Sequence, residues 1–376
     1  MQVLELNDQE LTLYSADAEV VRSEPAAAAV VDKRLAFGQA ALEQSRVSPQ
    51  YFNNRYLGNA TAQQLPSPIG LAHNLADLVF HHLSTYPLTQ EPLALLTPSH
   101  FANEQLGLLL GICQELNVDV KGFIDLPLAQ ALTTEVPDAF QILDLEWHRL
   151  SVTRIDKVDS NLSASGHRVW EGRGLNHFIE GWMGVIADEF MQQTRFDPLH
   201  RGDSEQQLFQ QTYAWLKGGL KTRISIHGNE NDRALDIEPD RLRAKTRQRL
   251  DGLEFDTTLP LVLTNRARCV PFLPELMANL HDHIVAADTN ASIRAHIAEL
   301  CGELPTNSIG RLSSTAARAR SLPVAKTETI TEGATHLLNE RDQAYPVAKL
   351  TPTQKRLNTG DEVIIDGKRY RAIKVL

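Results

Sequence analysis

The sequence has few cysteines, no long apolar run and no leader pattern. Its three cysteines, Cys113, Cys269 and Cys301, are far apart, which excludes a disulfide framework and a cysteine-based metal knuckle. No run of about 18 apolar residues is present, so no membrane-spanning helix is predicted. The N-terminal stretch MQVLE lacks the basic and then apolar order of a signal peptide. We therefore predict a cytoplasmic protein with no membrane partner.

Standard catalytic motifs are absent as well. Neither G-x-x-x-x-G-K-[ST] nor G-x-S-x-G occurs, which argues against a P-loop NTPase and an α/β-hydrolase. His281 and His283 have no further ligand at recognisable zinc spacing, so no metal site is predicted from them.

Positive charge is scarce in most of the chain. The formal net charge is −10, although the residues from 303 onward contain 12 Lys and Arg against 8 Asp and Glu. The first 302 residues therefore have a net charge of −14. Such an acidic body disfavours binding to nucleic acid.

The patterns that are present indicate an α/β protein. Leucines alternate in residues 3–14 around a polar turn, which predicts a β-hairpin. Residues 70–84 and 103–117 have apolar residues at helical spacing, and a short strand is predicted at 118–123. A strand, an amphipathic crossover helix and a further strand are typical of an α/β sheet.

A second stretch resembles the N-terminal hairpin. Residues 142–153, ILDLEWHRLSVT, align without gaps with residues 3–14, VLELNDQELTLY. Each has an aliphatic pair, an acid (Asp144 or Glu5), a leucine and, after a polar or bulky stretch, a second β pattern. Each also opens a mixed α/β segment, so the likeness indicates either an internal duplication or a chance similarity of two hairpins.

The composition changes after residue 302. Residues 303–345 are rich in Ser, Thr, Ala and Pro without periodicity, which predicts a flexible linker. Residues 346–376 include DEVIIDGKRYRAIKV, which alternates around Asp366-Gly367 and is typical of a type I′ hairpin. We predict a small C-terminal β element there.

Three stretches resemble the actin-like ATPase superfamily, most closely the nucleotide-binding domain of DnaK-type chaperones. Residues 93–132 look like the family's strand, loop, helix and next helix start. Residues 195–226 are similar to a chaperone helix and its following strand, and residues 259–280 resemble the strand that leads into the adenosine loop. No single stretch is specific, but their order matches, and the two hairpins fall where the family has its two phosphate loops.

The resemblance implies an α/β, actin-like bilobed fold of two ribonuclease-H-like halves with a cleft between them. The first lobe would span residues 1–138 and the second residues 139–302. The linker and the C-terminal β element would follow.

The family's phosphate loops are replaced in this chain. Where the first family loop reads Asp-Leu-Gly-Thr-Thr, this chain has Glu5-Leu6-Asn7-Asp8-Gln9. Where the second reads Asp-Leu-Gly-Gly-Gly-Thr, it has Asp144-Leu145-Glu146-Trp147-His148-Arg149. Glycine lets backbone N–H groups approach a phosphate, whereas side chains fill that space. Glu146 would also repel a triphosphate, by about 4 kcal/mol at ~4 Å and an effective dielectric near 20.

The adenosine loop is replaced too, because its Gly-Gly falls on Asn265 and Arg266, while Gly172 and Gly174 partly match a family glycine pair. We therefore expect no cofactor and interpret the chain as a catalytically inactive pseudo-ATPase, a scaffold or regulator that binds a protein partner. Trp147 would either fill the emptied cleft or be exposed there as a partner anchor. The oligomeric state is not indicated.

The retained acids keep further functions open. In an active ATPase with divergent loops, Glu5 and Asp144 would organise magnesium. ATP would then be contacted by some of a weak set of candidates: Asn7, Asp8, Gly172, Gly174, Lys217, Lys221, Asn265 and Arg266. Glu5 and Asp144 could instead hold a metal without phosphate, and a polymerising actin-like protein is open as well. A two-metal nuclease would use the carboxylates of Glu5, Asp8, Asp144 and Glu146.

Overall fold

The computed structural model describes residues 1–70, 72–89, 91–132, 137–159, 161–228, 232–285, 287–306 and 308–316, together with four short strands nearer the C-terminus. The chain divides into two compact units, Met1–Arg320 and Ser321–Leu376. The fold is mixed α/β. Among the described residues, no helix is long and apolar enough to cross a membrane.

The larger unit contains nineteen described strands and ten described helices, besides a short 3-10 turn at Pro49–Tyr51. Its strands are β1 Gln2–Asn7, β2 Glu10–Tyr14, β3 Val20–Glu24, β4 Ala28–Val31, β5 Arg34–Phe37, β6 Phe52–Asn53, β7 Gln64–Ile69, β8 Ala72–Asn74, β9 Leu93–Thr97, β10 Val120–Asp125, β11 Ala139–Leu145, β12 Arg149–Val158, β13 Asn161–Glu171, β14 Arg223–Ile226, β15 Arg233–Asp236, β16 Leu261–Leu263, β17 Ile284–Val285, β18 Gly310–Leu312 and β19 Ser314–Thr315. Its helices are α1 Gly38–Leu42, α2 Leu75–Leu83, α3 Asn103–Glu115, α4 Leu126–Ala131, α5 Leu175–Thr194, α6 Gly202–Gly218, α7 Pro239–Leu250, α8 Asn265–Arg268, α9 Leu273–Ala278 and α10 Thr289–Gly302.

Two six-stranded sheets have the same internal arrangement. The first has the order β18-β10-β9-β1-β2-β3, and the second has the order β17-β16-β11-β12-β13-β19. In each, three consecutive antiparallel strands are followed by two strands that add in parallel beside the first one. The sixth strands differ, because β18 adds beside β10 while β19 adds beside β13, at the other end of the order.

Local sequence explains where the crossover helices begin. α2 begins after Asn74, whose side chain accepts a hydrogen bond from the Asp77 backbone while the Asp77 carboxylate accepts one from the Asn74 backbone. This capping box satisfies two backbone donors that a helix start leaves free. The predicted helix at 70–84 therefore begins at Leu75, because residues 72–74 pair as strand β8.

The two sheets share hydrophobic cores. One core contains Val3 and Leu96 of the first sheet, Ile142 and Val262 of the second, and apolar residues of α4 and α10. Another surrounds β11, β12 and β16 but also takes in four residues from the β4–α1 region of the first half, namely Ala27, Ala29, Ala41 and Leu42. Because apolar burial is the main favourable term in folding, these shared cores make the larger unit one packed body.

The segment that follows α10 connects the two sheets. Gly310–Leu312 pairs with the first sheet, and Ser314–Thr315 pairs with the second only two residues later. Arg311 donates hydrogen bonds to the Asp125 carboxylate at 2.5 Å and to the carbonyl oxygens of Pro98, Ser99 and Phe101. The sequence predicts a flexible linker over residues 303–345, whereas residues 310–312 and 314–315 of that range form the strands β18 and β19. The strands are too short for their alternation to be visible in the sequence.

The smaller unit contains one four-stranded sheet. Its described strands are β20 His336–Asn339, β21 Ala344–Pro346, β22 Glu362–Ile365 and β23 Lys368–Ile373, in the order β21-β20-β23-β22. β22 and β23 pair antiparallel, with Ile365 opposite Lys368. The hairpin predicted there is confirmed, although its turn residues Asp366 and Gly367 lie outside the described residues. β20 and the first two residues of β21 fall within the predicted linker of 303–345, so the C-terminal β element begins earlier than residue 346.

Candidate functional site

The two hairpins identified in the sequence have the same register in the structure. Glu5 lies opposite Thr12 in the first hairpin, and Asp144 lies opposite Ser151 in the second. β1 and β11 each pair on both sides, with the antiparallel strand of the hairpin and with a parallel strand. The structure therefore places the two acids at equivalent positions near the ends of two central strands, and both are buried.

Arg266 lies between these two acids. Its Nη1 donates to Glu5 Oε1 at 2.5 Å, its Nη2 to Asp144 Oδ2 at 2.7 Å, and its Nε to Asp144 Oδ1 at 3.0 Å. The residue comes from α8, directly after β16, and it is 7% exposed. Charge-assisted bonds with one guanidinium on two carboxylates are strong and geometrically specific. We refer to Glu5, Asp144 and Arg266 as the Arg266 cluster.

Neutral donors complete the Arg266 cluster. Asp144 accepts from Thr264 Oγ1 at 2.7 Å, from Gln130 Nε2 at 3.3 Å and from Asn7 Nδ2 at 3.4 Å. Glu5 Oε2 accepts from the Tyr14 hydroxyl at 2.9 Å. Asn7 comes from the first sheet and Thr264 from the second, so donors of both halves converge on the Asp144 carboxylate.

The electrostatics of the cluster differ between its two acids. Burial acts to raise the pKa of Asp144, but the Arg266 charge and the hydrogen bonds outweigh it, and the pKa lies below its ordinary value. Burial dominates at Glu5 and raises its pKa despite Arg266. Burial opposes the charge of Arg266, yet the two acids raise its pKa well above its ordinary value. The guanidinium therefore stays charged, with Asp144 as its principal counterion.

A second charged group lies beside the first. Asp8 Oδ1 accepts from the Trp147 backbone N–H at 2.6 Å, so the turns of the two hairpins touch directly. Arg149 Nη1 is 3.6 Å from Glu146 Oε2, and His100 Nε2 is 3.4 Å from Glu146 Oε1. We refer to Asp8, His100, Glu146 and Arg149 as the Arg149 cluster.

Burial shifts the titration of this second cluster. It raises the pKa of Asp8 to about 7 and, together with the Asp8 charge, raises that of Glu146 well above its ordinary value. Burial and the Arg149 charge lower the pKa of His100 to about 3. An uncharged imidazole therefore faces an acid that holds its proton more tightly than usual.

Arg149 also ties the second hairpin to a loop of the first half. Its Nε donates to Glu171 Oε1 at 2.6 Å and its Nη2 to Asn59 Oδ1 at 2.5 Å. A Cβ added at Gly58 would lie 2.0 Å from Arg149 Nη1, so the guanidinium occupies the space that a larger residue would need.

Trp147 is completely buried. Its indole stacks on the Tyr213 ring with centroids 5.5 Å apart, in the core that also holds Trp182 and Trp215. Ala27, Ala29 and Leu42 of the first half belong to the same core. Of the two roles that the sequence left open for it, Trp147 therefore has the first and fills space between the halves. It presents no surface that could anchor a partner.

The start of α5 is bonded to the second hairpin. Leu175 N donates to Glu146 O and Asn176 N donates to Trp147 O, both at 2.9 Å. A Cβ added at Gly174 would lie 2.3 Å from Arg149 N, so only glycine permits this close approach. The N–H groups that a helix start offers to a phosphate are thus used by backbone carbonyls of the turn.

Little free space remains where the clusters meet. A cavity of about 10 Å³ is lined by residues of both, among them Asn7, His100, Asp144 and Glu146. Small-molecule sites typically enclose about 300–1,000 Å³. These residues do not fit a magnesium nucleotide, because the space holds about one water molecule and Arg266 already neutralises the carboxylates.

The remaining predicted contacts are dispersed. Lys217 and Lys221 are exposed, and a Cβ added at the exposed Gly172 would meet nothing within 4 Å. Asn265 Nδ2 bonds Asp288 Oδ1 at 2.9 Å, and Asn265 Oδ1 accepts from Thr289 N, which joins α8 to the start of α10. The structure thus brings together Glu5, Asn7, Asp8, Asp144, Arg266 and Trp147 but not the lysines or Gly172.

The sequence pattern does not identify several residues in and around the two clusters. These are Tyr14, His100 and Gln130, while Arg149 is predicted only as a loop residue. Arg266 was treated as a weak nucleotide contact, although an arginine just after the apolar run LPLVL is a signal for a buried ion pair. Within the described part of the chain, no group of three or more His, Cys, Asp or Glu residues could hold a metal ion.

Comparison with protein-family models gives no match for this chain, and comparison with curated proteins gives none either.

Proposed function

We propose that the chain is an actin-like, DnaK-like pseudo-ATPase that acts as a protein-binding scaffold or regulator. The observation that carries this proposal is Arg266, a cation of the chain itself, seated between Glu5 and Asp144 at the junction of the two hairpins. In the actin-like family that the chain resembles, the acids at these two positions organise the metal ion that accompanies the nucleotide.

The repeated sheet order supports the actin-like part of the proposal. Each half has the same strand order when its strands are counted from its own first strand. The order is β3-β2-β1-β9-β10 in the first half and β13-β12-β11-β16-β17 in the second. This is the arrangement expected of two ribonuclease-H-like lobes that meet at their hairpins. The equal hairpin registers support a duplicated origin of the lobes.

The energetics support the loss of nucleotide binding. A magnesium nucleotide would have to displace Arg266 and leave it buried without partners. Breaking a buried ion pair in this way costs about 3–5 kcal/mol. Each 1.4 kcal/mol is a factor of ten, so this alone removes about two to three and a half decades of affinity. Trp147 and the bonded start of α5 add a steric cost to that electrostatic one.

Rigidity between the halves supports a scaffold. Three features join the two sheets without a ligand: the shared cores, the Arg266 cluster, and the segment 310–315 that pairs with both. A protein held closed in this way keeps a fixed outer surface for a partner.

Titration calorimetry with MgATP and MgADP tests the proposal. We expect no saturable heat up to about 1 mM nucleotide, which corresponds to a binding free energy weaker than about −4 kcal/mol. Saturation in the micromolar range that is abolished by Asp144→Asn would overturn it and favour an active ATPase with divergent loops. The matched control is Asp119→Asn, since Asp119 is exposed and its carboxylate pairs with Lys121.

A further inference from the structure

An open apolar groove runs between α2 and α3, on the first half of the larger unit. Its volume is about 560 Å³, and its lining includes the apolar side chains of Ala76, Phe80, Leu108 and Ile112. Phe80 and Leu108 are only partly buried, although both pack on the core beneath the first sheet. The groove therefore presents apolar surface to solvent.

The charged residues of the groove are of one sign. Asp77 of α2 and Glu115 of α3 line it, and its lining, which lies wholly within the described residues, contains His81 but no lysine or arginine. The Asp77 carboxylate also accepts from the backbone N–H groups of His73 and Asn74. The open pocket beside the Arg149 cluster is different, since Arg149 and Glu171 line it together and neutralise each other. A peptide in the α2–α3 groove would therefore bind more tightly if it had positive charge near both walls of the groove.

Two glycines of α3 shape the groove floor. Gly107 and Gly111 are one turn apart, and both line the groove. A Cβ added at either would meet nothing within 4 Å among the described residues. Glycine lowers the stability of a helix relative to alanine. Glycine at both positions leaves room for the close approach of another backbone.

We propose that the α2–α3 groove docks an amphipathic helix of a partner protein, with small apolar residues on the floor and lysine or arginine toward Asp77 and Glu115. The helix-in-groove mode requires apolar anchors at helical spacing. The part of α3 that lines the groove spans residues 107–115, which gives a length of about 13 Å, or two to three helical turns. The inference rests on the proposed scaffold role and names the chemistry of its partner.

Peptide binding to the full chain tests this directly. The probe is a helical peptide of about 14 residues with alanine and leucine on one face and lysines at its edges, matched by a peptide with glutamates in place of the lysines. We expect the basic peptide to bind at least about tenfold more tightly than the acidic one at low salt, and the difference to shrink at high salt. Hydrogen exchange should slow in Leu75–Leu83 and Asn103–Glu115 when it binds.

The double variant Gly107→Ala/Gly111→Ala separates docking from folding. Alanine strengthens an exposed helix, so this variant should unfold at higher denaturant concentration than the natural chain. Its affinity for the basic peptide should nevertheless fall about tenfold, because two methyl groups hold the peptide backbone away. Gly184→Ala in α5 is the matched control, since a Cβ there also meets nothing within 4 Å. Peptide binding should be unchanged in it.

Three results would overturn the inference: equal binding of both peptides, no loss of affinity in the double alanine variant, and protection outside α2 and α3. Self-association of the free chain that the double variant abolishes would assign the groove to a second copy instead. No residue that lines the groove belongs to the Arg266 cluster. A positive nucleotide titration would therefore refute the pseudo-ATPase proposal without changing the peptide result, and the reverse also holds.

Discussion

The two hairpins, β1–β2 and β11–β12, have one backbone geometry and two different turns. Glu5 and Asp144 are 139 residues apart, and so are their cross-strand partners, Thr12 and Ser151. At equivalent turn positions, however, the first hairpin has Asp8 and the second has Trp147. Asp8 reaches across to the second turn and accepts from its backbone, while Trp147 enters a core that also includes residues of the first half.

The two hairpins therefore share a backbone geometry while their turns differ in chemistry. The strands that carry Glu5 and Asp144 each lie inside a six-stranded sheet and have the same register with their hairpin partners. In this chain the two turns contact each other directly. Arg266 supplies the positive charge beside the two strand acids, Glu5 and Asp144.

Removing the side chain that fills the second turn should have the largest effect. Trp147→Ala leaves a cavity beside Tyr213, and large-to-small changes at buried tryptophans cost about 3–5 kcal/mol of unfolding free energy. Urea unfolding measures this loss. Trp170→Ala is the matched control, because Trp170 lies on β13 and is only partly buried, and we expect it to cost less than half as much. Equal losses would mean that the second turn is not a packed core element.

The residue that follows each turn provides a second comparison. Arg149 in the second hairpin corresponds to Glu10 in the first. Arg149→Met removes the cation beside Glu146 and Asp8, and we expect a loss of about 2 kcal/mol at neutral pH, because both acids can protonate instead of staying charged. Glu10→Gln should change the unfolding free energy by less than about 0.5 kcal/mol. A cost for Glu10→Gln as large as that for Arg149→Met would contradict the asymmetry described above.

The pH dependence of stability should have opposite signs at Asp8 in the first turn and at His148 in the second. Burial raises the pKa of Asp8 to about 7, so between about pH 4 and 7 the folded chain binds a proton that the unfolded chain releases. The contribution of Asp8 to stability is therefore present at low pH and is lost as the pH rises through 7. The stability of the natural chain relative to Asp8→Asn should fall on going from pH 5 to pH 8.

His148, in the second turn, should show the reverse. Burial lowers its pKa to about 3, so its contribution to stability is present above about pH 6.5 and is lost as the pH falls below that value. The stability of the natural chain relative to His148→Asn should therefore rise between pH 5 and pH 7. Each difference should change by about 1.4 kcal/mol per pH unit at most. Parallel pH dependences for the two variants would refute these assignments.

Much of the fold could be predicted from the sequence because it depends on periodicity. The helical spacing over residues 103–117 corresponds to α3, and the hairpin at 3–14 corresponds to β1 and β2. The strands of 310–315 could not be predicted, because two or three residues show no alternation and their partners are distant in sequence. The α/β class follows from local pattern, whereas the joining of two sheets by one short segment does not.

The candidate site was only partly predictable for a similar reason. The acids at the hairpins stand out, since each follows an aliphatic pair in a repeated pattern. Their counterion does not, because Arg266 is separated from Glu5 by 261 residues and from Asp144 by 122. His100 and Tyr14 join the clusters only through the packing of strands and loops. Sequence pattern locates the strands, and only the fold decides which charges meet.

The unfolding free energy of Arg266→Met, compared with that of the triple variant Glu5→Gln/Asp144→Asn/Arg266→Met, tests the central claim most directly. Loss of the guanidinium alone leaves two buried acids without their cation, and we expect a cost of about 3–5 kcal/mol. Arg268→Met on the same helix, where the arginine is exposed and bonds Ala287 O, should cost less than about 1 kcal/mol. Neutralising both acids should restore most of the stability, since buried ion pairs can be replaced by neutral groups at little cost. A harmless Arg266→Met, or a triple variant as unstable as the single one, would contradict the claim that Arg266 is the cation that holds the two hairpins together.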